Sequence, residues 1–172
     1  MLPLNGRAGV VLLLACVALA FSACDGAPRP VELAPRGIEP GRRLPWPVVA
    51  EPVRDWGFAA GEEEIAIETR GPRGEHSVTV WCAVVGGRLY VATDSSARPK
   101  RWVRELEADP RARVGIRERV YPVGARAVRD SVEWGAVTAA FASKYAQSIG
   151  KYDFPRAGDM SRGRIFELQS HP

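Results

Sequence analysis

Residues 77–93 limit the possible folds of this chain more than any other segment. From Val78 to Val84 every second residue is valine or cysteine, which is the period of a β-strand. Gly86 and Gly87 follow almost directly, and two glycines accept the positive φ angles of a tight hairpin turn. Residues 88–93 then return as the next strand. This segment therefore predicts an antiparallel hairpin.

Four more strands and two helices complete the predicted fold. β-rich or alternating runs predict strands over residues 65–69, 113–119, 121–128 and 163–168. Apolar residues three or four apart predict helices over 96–108, with Pro99 in the first turn, and over 132–145, capped by Asp130 and Ser131. Consecutive hairpins with one late strand favour a small closed or half-open barrel, because closure covers unpaired edges. The predicted fold class is α+β, mainly antiparallel β, with two or three helices.

The N-terminal residues resemble a bacterial lipoprotein signal, in which a cysteine is lipidated and becomes the mature N-terminus. Arg7 precedes an apolar run that small residues connect to Cys24. The run has about 14 residues, fewer than the ~20 that span a bilayer as a helix. We therefore expect a lipid-anchored protein of the cell envelope, facing the periplasm or the exterior. Ordinary secretion and an uncleaved anchor are the alternatives.

The chain divides into a signal (residues 1–23), a Pro/Gly-rich tether (24–55) and one folded domain (56–172). Residues 44–49 of the tether are expected to pack on the domain as an extended arm. The net charge of +4, with both signs interspersed, is too mild to indicate a nucleic-acid partner. Cys82 is the one cysteine of the domain and is expected to be buried, and no metal-ligand cluster is expected.

Several segments in order resemble the deazaflavin-dependent nitroreductase family. They are residues 65–71, 89–93, 95–106 and the segment Asp109-Pro110-Arg111-Ala112-Arg113-Val114, within a similarity that covers about residues 64–128. That family belongs to the flavin-binding split β-barrels, together with the pyridoxamine-phosphate oxidases. The resemblance implies a split β-barrel, a flavin-type cofactor such as FMN or the deazaflavin F420, and a homodimer. It also implies an oxidoreductase that transfers hydride to a small acceptor, without identifying catalytic residues.

The resemblance implies a cofactor site at the start of the first helix and at the first hairpin turn. Backbone N–H groups at a helix N-terminus and basic side chains favour a phosphate. The residues expected at this site are Ser95, Ser96, Lys100, Arg101, Trp102, Arg70 and Arg73. Trp102 and Trp81 are expected either to flank a flat ring or to pack in the core.

A second interpretation is a split barrel without a cofactor, acting as a binding or structural module of the envelope. Glu75 follows the hairpin turn and would repel a phosphate. A chain exported unfolded also cannot carry a noncovalent cytoplasmic cofactor with it. His76 and Ser77 do not suggest a hydrolytic pair, because adjacent residues of a strand point to opposite faces.

Overall fold

The computed structural model describes residues 34–37, 40–93, 98–148, 160 and 163–171. Two helices and a short 3₁₀ turn accompany six strands within these residues. The strands are β1 (Glu64–Gly71), β2 (Gly74–Val85), β3 (Arg88–Ala92), β4 (Arg111–Ile116), β5 (Arg119–Ala127) and β6 (Ile165–Ser170). The helices are α1 (Arg101–Ala108) and α2 (Ser131–Lys144), and the 3₁₀ turn is Gly57–Ala59.

The six strands form one closed barrel in the order β1-β2-β3-β6-β5-β4. Every neighbouring pair is antiparallel, and β4 pairs with β1 to close the barrel, with Ile67 opposite Val114. β6, the last strand of the chain, lies between β3 and β5. The predicted α+β class and the predicted antiparallel barrel are therefore confirmed.

The turns confirm one predicted hairpin and correct the other. Gly86 and Gly87 have φ angles of 56° and 75°, as a tight turn between β2 and β3 requires. The next hairpin turns at Arg117 and Glu118, whose φ angles are 49° and 57°. Arg119 therefore begins β5, whereas the sequence pattern placed it at the end of the preceding strand. No glycine or asparagine marks this turn in the sequence.

Alternate residues of the strands fill the barrel, and α1 packs over one end of it. Trp102, Val103 and Leu106 of α1 belong to the same buried cluster as Ile67 and Cys82 of the strands. α1 begins at Arg101, so Pro99 lies before the helix and Lys100 is the N-cap residue. The prediction of a helix over 96–108 is thus too long at its start, and residues 94–97 lie outside the described part of the chain.

α2 packs on the outside of the barrel. Trp134, Val137 and Phe141 form a second buried cluster with Tyr90 and Ile165. The Asp130 carboxylate accepts a hydrogen bond from the backbone N–H of Glu133 at 2.8 Å, which confirms Asp130 as the N-cap. Ser131, also predicted as a cap, is the first residue of the helix.

An extended arm from the tether also packs on the barrel. Gly41 and Ser77 exchange backbone hydrogen bonds of 3.0 and 2.8 Å, and Val120 pairs with Pro47 and Val49. Leu44 is only 2% exposed. The predicted arm is confirmed, and the folded unit includes residues well before Trp56. Among the described residues, no helix combines the length and apolar character needed to cross a membrane.

Candidate functional site

A groove of about 390 Å³ lies between the β1–β2 turn and α1. We call it the arginine groove, because four of its lining side chains are guanidinium groups. Its lining residues are Arg70, Gly71, Pro72, Arg73, Arg101, Arg104, Glu105 and Ala108. Three of the predicted cofactor residues, Arg70, Arg73 and Arg101, thus line one groove although they come from different elements.

The four arginines differ in how far their charges are paired. Arg70 contacts Glu75 at 2.9 Å, and Arg101 donates from Nε to Glu105 at 2.7 Å. Arg104 donates to the carbonyl of Pro99 at 2.6 Å. Within the described residues, neither Arg73 nor Arg104 forms an ion pair with a carboxylate. The groove therefore keeps cationic charge that its own wall does not neutralise.

Glu105 is the buried wall of the groove, with 7% of the residue exposed. Its carboxylate accepts hydrogen bonds from Thr69 Oγ1 at 2.5 Å and Arg101 Nε at 2.7 Å. Burial opposes ionisation of Glu105, but these two hydrogen bonds hold its pKa below the ordinary value. A Cβ on Gly71 would lie 2.1 Å from Glu105 Oε1, so the carboxylate occupies the space beside this glycine. A charged carboxylate is therefore fixed behind Arg101.

His76 lies beside Glu105 and was not among the predicted cofactor residues. It pairs with Thr69 across β1 and β2, and its Nδ1 lies 3.4 Å from Glu105 Oε2. Burial and the nearby Arg101 charge lower the pKa of His76, and Glu105 only partly offsets them. Glu105 was also not among the predicted residues. Its signal in the sequence is a position four residues after Arg101, a spacing that allows an ion pair on a helix but is also common on exposed helix faces.

Two more of the predicted residues, Lys100 and Trp102, do not line the groove. Lys100 is the exposed N-cap residue of α1 and is absent from the groove lining. Trp102 is 3% exposed and packs edge-on against Phe166, with ring centroids 6.1 Å apart, so it is a core residue. Trp81 stacks on Tyr145 at 4.4 Å, away from the groove. Ser95, Ser96 and Cys24 lie outside the described residues.

The described lining fits the anionic part of a flavin-type cofactor. Guanidinium groups bind phosphate through paired N–H donors, and four of them surround this groove. Glu75 lies close to the groove. Hydrogen bonds from its own backbone N–H and from the Arg70 side chain stabilise its charged form and lower its pKa. Pro72 and Ala108 are the apolar side chains of the lining, and no aromatic ring is among its described residues. The groove therefore suits a phosphate better than a ring.

A neighbouring cleft of about 410 Å³ shares Arg70 with the groove, and three carboxylates in its lining offset most of the charge of its four arginines. Arg111 contacts Asp109 at 2.8 Å, and Arg113 contacts Glu68 at 2.5 Å. The Arg113–Glu68 pair joins β4 to β1, and the cleft keeps less unpaired cationic charge than the arginine groove.

Comparison with known proteins identifies the fold. No family model matches the chain, and no curated protein sequence matches it either. Among solved structures, the heme storage protein HutZ from Vibrio cholerae is 18% identical, with a TM-score of 0.51 over 67% of this chain and 86% of HutZ. A FAD-binding protein from Mesorhizobium loti is 11% identical, with a TM-score of 0.48 over 66% of this chain and 84% of that one. An F420-H2 dependent reductase is 18% identical, with a TM-score of 0.42 over 63% of this chain and 95% of that one. The strand order and the likeness to HutZ show that this chain has the split β-barrel fold.

Proposed function

We propose that the arginine groove binds the phosphate-bearing part of a flavin-type cofactor, FMN or the deazaflavin F420, and that the protein is an oxidoreductase. One observation carries this proposal. Arg70 and Arg73 at a turn and Arg101 on a helix were expected at a phosphate site, and they line the same groove together with Arg104.

The surroundings of the groove support a role in orienting a ligand. Arg101 is held by Glu105, which in turn is held by Thr69, so this guanidinium has a fixed direction. Arg73 and Arg104 keep charge available for a phosphate. A bound flavin or deazaflavin supplies the hydride chemistry, and the residues of this chain bind and orient its anionic end.

We also propose that the protein is held at the membrane through lipidated Cys24. The support is the N-terminal sequence pattern, with its short apolar run and small residues before the cysteine. We expect Cys24→Ser to release the protein from the membrane fraction and to abolish incorporation of labelled fatty acid. Membrane recovery of this variant equal to that of the original chain would contradict lipidation at Cys24.

A fluorescence titration tests cofactor binding. The protein is the chain from residue 24 onward with Cys24→Ser, because the arm contacts of Gly41 and Leu44 belong to the fold. FMN, F420 and heme are titrated in parallel, and heme is included because HutZ, which has the same fold, is a heme storage protein. We expect saturable binding of FMN or F420 at micromolar concentration or below.

Paired variants assign that binding to the groove. We expect Arg73→Gln with Arg104→Gln to weaken cofactor binding at least about tenfold, because two charge-assisted contacts are lost. The matched control is Arg117→Gln with Arg119→Gln, which removes the same charge at the β4–β5 turn and should leave the affinity unchanged. Equal affinities for the two double variants would contradict the assignment.

A cofactor-less envelope module is the second candidate function. It is favoured by the burial of Trp102 and by the lack of an aromatic ring among the described lining residues. Under this alternative, none of the three ligands gives a saturable signal. Light scattering does not separate the two candidates, because the resemblance implies a homodimer under both. A monomer would count against a cofactor site at a dimer interface.

A further inference from the structure

Two titratable side chains, His76 and Glu105, lie behind the arginine groove, and the proposed function does not use their protons. We propose that this pair takes up a proton when a phosphate-like dianion occupies the groove, so that the groove binds such an anion more tightly at lower pH. The inference rests on the proposed function for the position of the anion.

Arg101 connects the groove to the buried pair. Its side chain is 37% exposed and lines the groove, while its Nε donates to Glu105 Oε1 at 2.7 Å. The other oxygen, Oε2, accepts from Thr69 and faces His76 Nδ1 at 3.4 Å. Among the described residues, Arg101 is the one arginine or lysine that pairs with Glu105. Any anion that engages Arg101 therefore changes the electrostatic surroundings of Glu105 and His76.

The groups that face His76 come from three directions. Thr69 lies opposite it on β1 and is uncharged, and Gly41 of the arm pairs with the next residue, Ser77. On α1, Arg101 opposes protonation of His76 and Glu105 favours it. The side chain of His76 is 12% exposed, and Nδ1 is buried without a hydrogen bond in the described structure. This nitrogen lies within ion-pair distance of Glu105, so a proton added to Nδ1 would face the Glu105 carboxylate.

An anion on Arg101 raises the proton affinity of His76 in two ways. It compensates the positive charge that repels the proton, and it shares the Arg101 guanidinium with Glu105, so that the carboxylate attracts a proton on His76 more strongly. By linkage, a proton on His76 then tightens anion binding by the same factor. Burial and Arg101 hold the pKa of His76 below its ordinary value in the free protein. Anion binding is expected to raise this pKa. Affinity consequently rises as the pH falls between the bound and free pKa values, by at most about tenfold per pH unit.

Imidazole NMR tests the electrostatic connection without any ligand. The chain has two histidines, so His76 gives one of two signals and His171 gives the internal reference. We expect Arg101→Gln to raise the pKa of His76 and Glu105→Gln to lower it further. Arg104→Gln is the matched control, since Arg104 lines the same groove without contacting Glu105, and it should leave the pKa of His76 unchanged. An unchanged pKa in Arg101→Gln would overturn the inference.

Sulfate binding tests the coupling itself. Sulfate stays a dianion from pH 5.5 to 8, so any pH dependence comes from the protein. We expect sulfate to bind measurably more tightly at pH 5.5 than at pH 7.5, by no more than about tenfold per pH unit. His76→Gln should still bind sulfate but lose this difference, and Arg104→Gln should bind more weakly at both pH values and keep it.

The outcomes separate this inference from the proposed function. Sulfate binding with the same affinity at both pH values, in the original chain and in His76→Gln, would overturn the coupling and keep the groove as an anion site. Absence of sulfate binding at every pH would contradict both. Proton-coupled sulfate binding without any flavin binding would support the inference and contradict the cofactor.

Discussion

Gly71 at the end of β1 is the residue whose substitution tests the buried carboxylate most directly. Its missing side chain leaves room for Glu105, since a Cβ would lie 2.1 Å from Oε1. We expect Gly71→Ala to lower the free energy of unfolding by about 1–3 kcal/mol, because Glu105 must leave Thr69 and Arg101. Urea denaturation measures the change.

Two further variants make this prediction specific. In a Glu105→Ala background the steric conflict is gone, so Gly71→Ala should cost much less than in the original chain. Gly135→Ala is the control, because nothing lies within 4 Å of its added Cβ, and it should stabilise α2 slightly. A Gly71→Ala cost that is independent of Glu105 would contradict the close contact.

Cys82 is a second residue with a measurable expectation. It is fully buried, and burial raises the pKa of its thiol to about 11, although Lys144 opposes this shift. At pH 7.5 we expect iodoacetamide to modify Cys82 at least roughly a hundredfold more slowly than a free cysteine. Denaturant should restore the ordinary rate. Rapid modification in native buffer would contradict the buried thiol.

The sequence predicted which arginines line the groove, but it did not predict how the side chains of the groove are arranged. Arg70, Arg73 and Arg101 were expected near a phosphate because the family resemblance placed them there. The burial of Glu105 was not predictable, since it depends on Thr69 and Gly71, which are more than 30 residues away in the chain. Trp102 was ambiguous for the same reason, because helical spacing does not reveal which surface a helix covers.

At the scale of elements, the β4–β5 turn is open to improvement. Glu118 has a φ angle of 57°, a conformation that costs a non-glycine residue about 1–2 kcal/mol. Glycine avoids this cost but loses more entropy on folding. We expect Glu118→Gly to stabilise the protein by about 0.5–1 kcal/mol in thermal or urea unfolding. Arg119→Gly, at the neighbouring position with no positive φ, should destabilise it, and the reverse order would contradict this turn geometry.

The arm packs on the barrel although its sequence shows no helical or strand period. Leu44 is 2% exposed and packs with Ala66 and Val120 on the outside of the barrel. We expect Leu44→Ala to cost about 2–3 kcal/mol of unfolding free energy. Val48→Ala, at a position that is 54% exposed, should change it by less than about 0.5 kcal/mol. Equal effects at the two positions would show that the arm is not packed as described.

Elements were predictable where the local sequence carries their signal. Gly86 and Gly87 fixed the β2–β3 hairpin, and Asp130 marked the start of α2, because turn and cap chemistry is local. The β4–β5 turn was misplaced, since Arg117 and Glu118 adopt positive φ angles without the usual residue types. Closure of the barrel was expected only as one of two possibilities, because pairing of β4 with β1 joins residues distant in sequence.

At the scale of the whole molecule, the arginine groove brings together α1 and the β1–β2 turn, and within the described residues its Arg73 and Arg104 pair with no carboxylate. The arm joins β2 at Ser77 beside His76. A ligand in the groove therefore contacts α1 and the β1–β2 turn together. The central claim is that this groove binds the anionic part of a flavin-type cofactor.

NMR of the arginine Nε–Hε groups tests this claim most directly. The chain from residue 24 onward, with Cys24→Ser, is titrated in parallel with FMN and with F420, and the signals are assigned by single Arg→Gln variants. Saturating cofactor is expected to shift the signals of Arg70, Arg73, Arg101 and Arg104 and to leave Arg117 unchanged. Saturable binding that leaves the four groove signals in place, or no binding of either cofactor, would contradict the account.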